Sequence, residues 1–149
     1  LPDVEEMRAL VVDGREKGFL TYDEIVATLQ DAGARLAVCT NKREDLAYPL
    51  LEAVNLLEFF DVVICRDTLP VFKPAPEPLH ACLERTGTSR GVMIGDTMTD
   101  LEAALAAGLP CLIAEFGYGS FSEEEIQKAG LFGAFDALPD LVREVLQAG

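Results

Sequence analysis

The chain has 149 residues, 50% of them hydrophobic, and a net charge of −14. That length is one domain's worth, and the acidic balance argues against nucleic acid and anionic membranes, which both require clustered Lys and Arg. No apolar run approaches the ~20 residues of a membrane span, and the acidic start LPDVEEMRAL lacks the basic and apolar regions of a signal peptide, so a cytoplasmic globular protein is expected.

In chain order, the first segment reads two ways. Arg8–Val12 is apolar enough for a strand; equally, Asp3–Glu6 forms a capping box for a helix over 3–13 that Gly14 would stop. Thr21–Glu24 is a second capping box. It opens a helix with Ile25, Val26 and Leu29 on one face, ending near Gly33. ARLAVCTN is then a short buried strand ending at Thr40 and Asn41. A helical stretch, REDLAYPLLEAVNLLEFF, comes next and is open to a break at Pro49. DVVICRD is the next strand. LPVFKPAPEP, with four prolines, is a loop, and LHACLERTG a helix with a glycine stop. GVMIGD is a strand, TDLEAALAAG a helix ending at Gly108, LPCLIAEFG a strand and GYGS a turn. Two short helical pieces around 122–129 and 139–147 close the chain.

Apolar strands alternating with helices predict an α/β fold, a doubly wound parallel sheet covered on both faces. In such folds ligands bind beyond the C-terminal ends of the strands. Thr40 and Asn41 end one strand there. Asp96 ends another, with Asp100 one helical turn later on the same side, and Lys73 sits in the proline-rich loop. Two carboxylates suit Mg²⁺, which prefers oxygen ligands; a hydroxyl and a lysine suit phosphate oxygens, and helix N-termini add amide donors. Mg²⁺ and Lys73 would also offset the acidic surface locally. A plainer reading competes at two of these positions: Asp96 or Thr97 caps the helix, and Asp100 is an acid favoured in its first turn.

The remaining signals are weaker. Cys39, Cys65, Cys82 and Cys111 show no C-x₂-C spacing and read as buried reduced thiols. His80 falls off the Leu79/Leu83 stripe, at a surface helix position. GYGS lacks the full dinucleotide-binding pattern. Ser122–Glu125 reads as a solvated helix start. Arg66 and Asp67 end a strand on the active edge, where either could touch a substrate, a structural role being the plainer expectation.

ARLAVCTNK, FKPAPEPL and VMIGDTMTDLEAALAAG, in that order, resemble motifs two, three and four of the haloacid dehalogenase (HAD) superfamily. The nearest likeness is to its phosphoglycolate-phosphatase-like branch, which TYDEIVATLQDAGARLAVCTNK and FGYGS also resemble. The resemblance spans roughly residues 21–145. It implies a HAD-like Rossmannoid core over 1–149, with the family's cap domain absent or reduced to an N-terminal remnant within 1–20. It further implies that Thr40, with Asn41 beside it, holds phosphate. Lys73 would neutralise phosphate and nucleophile, Asp96 and Asp100 would hold Mg²⁺, and Pro74 would stiffen the loop carrying the lysine.

The family's first motif, a strand ending in DxDGT, has no full counterpart. In one alignment Asp13 is the nucleophile and Arg15 replaces the acid/base aspartate. In a second, Asp13-Gly14 matches the final DG and Val11 falls at the nucleophile position. In a third, 3–13 is a helix, the tail of the cap, and the chain is a piece that starts after motif one. Loss of that central strand would leave its neighbours' backbone groups unpaired, to be filled by these residues or by another chain.

The function implied is a Mg²⁺-dependent phosphatase acting on a small phosphorylated metabolite. The alternatives are a catalytically impaired relative, whether fragment, pseudoenzyme or subunit completed by a partner or a second copy, and a phosphoacceptor signalling domain. In the latter the acidic pair precedes the lysine, whereas here Lys73 precedes Asp96. A dehalogenase is a further possibility within the superfamily, less suited to GDTMTD.

Overall fold

The computed structural model describes residues 29–30, 33–95, 97–114, 122–124 and 130–133. Both readings of residues 3–13, the Thr21 capping box, the GYGS turn and the helical piece at 139–147 lie outside the described residues.

Among the described residues there are five short strands: β1 (Ala37–Cys39), β2 (Val62–Ile64), β3 (Met93–Gly95), β4 (Cys111–Ala114) and β5 (Gly130–Gly133). They alternate with helices α1 (Glu44–Ala53), α2 (Glu77–Thr86) and α3 (Met98–Ala107) and a 3₁₀ turn at Leu57–Phe59. The pairings among the described residues are all parallel. β1 lies beside β2 with Ala37 opposite Val62 and Cys39 opposite Ile64. β4 lies between β3 and β5, with Met93 opposite Cys111 and Cys111 opposite Gly130. Among the described residues no ladder joins β1 to β3; α2 packed on α3 connects the two parts.

Alternate residues of β1 serve two layers, as the two-residue period of a strand requires. Val38, with Val63 of β2, packs on Leu50, Leu51 and Leu56 from the α1 side. Cys39 packs on the opposite cluster of Leu79, Leu101, Ala103, Ala104 and Cys111, drawn from α2, α3 and β4. Helices therefore lie on both faces of the β1–β2 pair, as the continuous apolar strands predict. Ala103 and Ala104 are fully buried, and their small side chains let α3 lie close to the sheet.

The helix ends match the sequence signals. Gly87 and Gly108 close α2 and α3 in the left-handed conformation, with φ of 73° at both. Leu29 and Gln30 are helical, and Gly33 is also at positive φ.

Three features differ from the sequence expectation. α1 runs through Pro49 without breaking: Ala47, Leu50 and Leu51 on its buried face make continued packing worth more than the one backbone bond proline removes, a fully buried leucine alone contributing about 1.5–3 kcal/mol. α2 begins at Glu77, inside the proline-rich segment, because Pro78 falls in the first turn, where a missing N–H costs nothing. Residues 130–133, GLFG, form a strand that the sequence pattern does not announce.

Candidate active site at the strand ends

The C-terminal ends of β1 and β3 and the loop before α2 converge on the Lys73 ammonium. Lys73 and Asp100 are only 6% and 7% exposed, and Thr40 7%. The Lys73 Nζ donates to the Cys39 carbonyl at 2.6 Å and to Asp100 Oδ1 at 2.6 Å. Cys39 and Thr40 share the peptide bond at the end of β1, so the ammonium is tied to the strand end and to the first turn of α3 at once. An ammonium has three protons; partners among the described residues engage two of them, which leaves one there for a ligand.

Asp100 is fixed from its other oxygen. Thr97 is the N-cap of α3 and Asp100 its third residue, and together they form a capping box. The Thr97 hydroxyl and backbone N–H donate to Asp100 Oδ2 at 3.0 and 3.3 Å, and the Asp100 N–H donates back to Thr97 Oγ1 at 3.4 Å. The helix-cap reading of Asp100 and its place beside Lys73 thus hold simultaneously, one oxygen for each. Thr97→Ala is expected to cost about 1 kcal/mol, the usual worth of such a cap, measured by urea unfolding; a change under a few tenths would show that the box contributes nothing.

Thr40 Oγ1 accepts from the Lys42 N–H at 3.1 Å, a local turn that leaves the hydroxyl proton available to donate. Asn41 makes a two-point clamp across 32 residues of chain: its Nδ2 donates to the Lys73 carbonyl at 2.8 Å, and its Oδ1 accepts from the Lys73 N–H at 3.1 Å. Its amide therefore holds the loop that presents Lys73. The Lys73–Pro74 peptide bond is cis.

Asp96 and Asp13, expected as metal ligand and nucleophile, lie outside the described residues. The structure brings Thr40, Asn41, Lys73 and Asp100 together. Of the groups on the same edge, Asp67 serves α1, its Oδ1 accepting from the Glu44 N–H at 2.9 Å. Arg66 is exposed, with its guanidinium carbon 4.1 Å from the centroid of the Phe72 ring. His80 is exposed, its Nε2 3.4 Å from the Ala107 carbonyl at the far end of α3. Ser122, Glu123 and Glu124 are exposed. Thr97 and the Cys39 carbonyl are the contributors that sequence reasoning does not place in the site; the T-x-x-D capping pattern signals the first, and nothing in the sequence signals the second.

All four cysteines are free thiols, three of them buried. Burial, with the Asp100 charge adding to it, pushes Cys111 up to about 12, and burial likewise raises Cys65. Cys39 is the exception: a hydrogen bond with Cys82, helped by the Lys73 charge, holds it below its ordinary value, and the same bond raises Cys82.

Mg²⁺ keeps several of its waters and takes one or two carboxylates. Asp100 offers one buried carboxylate on this edge, and the other groups facing it are oxygen donors or the lysine, with no soft ligand required. No cluster of three or more acidic, His or Cys side chains able to hold a metal occurs among the described residues. A carboxylate that reaches the ion directly or through water is the arrangement that fits.

A family model described as haloacid dehalogenase-like hydrolase matches residues 3–108, and a second, HAD-hydrolase-like model matches 71–146. A phosphoglycolate phosphatase of Mesorhizobium japonicum is 32% identical over 140 residues, covering 92% of this chain and 62% of its own length. Another, from Caulobacter vibrioides, is 41% identical over 109 residues, covering 72% and 45%. This chain therefore spans only about half to three-fifths of those relatives. The crystal structure of a HAD phosphatase from Thermococcus onnurineus superposes with a TM-score of 0.62 at 27% identity, covering 66% of this chain and 47% of that one.

Proposed function

Because the chain belongs to the haloacid dehalogenase-like hydrolase family, we propose that its Lys73-centred site binds the phosphoryl group of a small phosphomonoester for Mg²⁺-dependent hydrolysis. The observation that carries this reading is the buried Lys73 ammonium, held at 2.6 Å by both the Cys39 carbonyl and Asp100 at the strand ends. In a chain of net charge −14, an anion needs such a local cation to approach at all.

The roles of the residues come from their remaining valences. The Lys73 proton left over donates to a phosphoryl oxygen, and its charge offsets the negative charge gathered on the transferring group. The Thr40 hydroxyl donates to a second oxygen. Asp100 holds the Lys73 ammonium in place and, with Asp96, offers carboxylate oxygen to the metal. When bound, Mg²⁺ supplies positive charge that steadies and orients the phosphoryl group. Asn41 acts through Lys73, holding its main chain so that the ammonium does not drift. An aspartate, for which Asp13 is the candidate, attacks phosphorus and displaces the alcohol of the ester, which leaves with a proton; water then cleaves the resulting acyl phosphate, returning the carboxylate and releasing orthophosphate. The names of the curated relatives support 2-phosphoglycolate as the first substrate to try.

The test is release of phosphate from 2-phosphoglycolate and p-nitrophenyl phosphate across a Mg²⁺ series. Metal-dependent turnover lost in Asp96→Asn is the expected result. Absence of turnover at every Mg²⁺ concentration, with phosphate still bound, would assign the chain instead to a non-catalytic role, the outcome that Arg15 or Val11 in a motif-one aspartate position would produce.

A further inference from the structure

We infer that Arg66, stacked on Phe72, is a specificity-determining residue that receives a second anionic group, a carboxylate, on the non-reacting end of the substrate. The inference rests on the phosphoryl-site reading above and adds to it the chemistry of the rest of the ligand.

Position is the first ground. Arg66 continues β2 past its last paired residue, and its N–H donates to the Lys42 carbonyl at 2.9 Å, extending the β1–β2 pairing beyond Thr40 on the same edge as the site. Phe72 immediately precedes Lys73, whose main chain Asn41 clamps to the end of β1. The Arg66–Phe72 stack is thus anchored near the end of β1 by the same bonds that place the lysine.

Charge is the second ground. The chain carries 26 acidic residues against 12 Lys and Arg, so an arginine has abundant carboxylates to pair with. Its neighbour Asp67 is turned to the N-terminus of α1. Among the described residues Arg66 makes no ion pair; its guanidinium lies against the Phe72 ring. A guanidinium laid over an aromatic face keeps its N–H edge free, and that edge matches a carboxylate in two-point geometry. The stack also lowers the entropy lost on binding, because the side chain is already oriented.

The third ground is the surface that surrounds it. Val71 and Phe72 are 40% and 38% exposed, two apolar side chains in the loop leading to the lysine, with Phe72 lying against the arginine. Such a surface suits a short carbon spacer joining phosphate to carboxylate, while the Arg66 charge penalises a ligand whose far end carries a cation.

The experiment is calorimetric titration of the chain, with Mg²⁺, against two probes of similar size: 2-phosphoglycolate, which has the carboxylate, and ethyl phosphate, which lacks it. The expected result is a three- to tenfold preference for 2-phosphoglycolate, the range of a solvent-accessible charge pair. Arg66→Met should erase the preference while ethyl phosphate binds within twofold of its original affinity, which also reports that the variant is folded. Arg66→Lys should keep part of it. Equal affinities for the two probes in the unaltered chain, or a preference that survives Arg66→Met, would overturn the assignment. If neither probe binds, or Lys73→Met leaves both affinities intact, the phosphoryl-site reading itself fails and the role of Arg66 falls with it.

Discussion

Lys73→Met is expected to damage both stability and phosphate chemistry. Methionine fills most of the volume of the lysine stem but brings no charge, leaving the Asp100 carboxylate, 7% exposed, without its cation. Breaking a buried pair by removing one partner costs about 3–5 kcal/mol, since the surviving charge has already lost its hydration. Thr97 still donates two hydrogen bonds to Asp100 Oδ2, which places the expected loss at the lower end, about 3 kcal/mol, read from urea unfolding. Phosphate turnover should fall about 10²–10³-fold, the usual effect of deleting one preorganised charge-stabilising donor. The double variant Lys73→Met, Asp100→Leu separates the two effects: removal of both charges should recover much of the stability and none of the turnover. A single variant as stable as the parent would show that the 2.6 Å contact contributes nothing to the fold.

Gly95→Ala should be nearly as harmful, for a steric reason. Gly95 ends β3, and a Cβ at this position would meet the Cβ of Asp100 and lie 2.6 Å from its Oδ2 and 2.7 Å from its Cγ. Asp100 has nowhere to retreat, because Lys73 holds one oxygen and the capping box holds the other. The added methyl must push α3 from the sheet or break the ion pair. Overpacking of this kind costs about 1–3 kcal/mol, and turnover should fall with it as Lys73 loses its partner. An unchanged unfolding midpoint would mean that β3 and α3 tolerate a wider spacing than the structure has.

The contrast between these positions shows how much is legible in sequence alone. β1 to β4 are readable as apolar, β-branched-rich runs bounded by polar or turn residues, and Gly87 and Gly108 announce the ends of α2 and α3. Thr40, Lys73 and Asp100 are readable as a group because a parallel sheet gathers at one edge the residues just past its strand ends. β5 is not, since GLFG has no β-branched residue and two glycines, which are poor strand formers taken alone; pairing with β4 decides it. The helical course of Pro49 depends on what Leu50 and Leu51 bury against, which no local pattern contains. The Asn41 clamp joins residues 32 apart, so sequence suggests a phosphate ligand where the fold shows an amide spent on the lysine's main chain. The Arg66–Phe72 stack is hidden for the same reason: each residue looks like an ordinary loop position until the loop is laid beside the strand end.

The Lys73-centred pocket as a phosphoryl site is tested most directly by backbone amide NMR during titration with orthophosphate and Mg²⁺. Saturable shifts are predicted at Thr40, Asn41, Lys42 and Lys73 and in the first turn of α3, with the whole set lost in Lys73→Met. Shifts spread over unrelated surfaces, or the same shifts persisting without the lysine, would contradict the account.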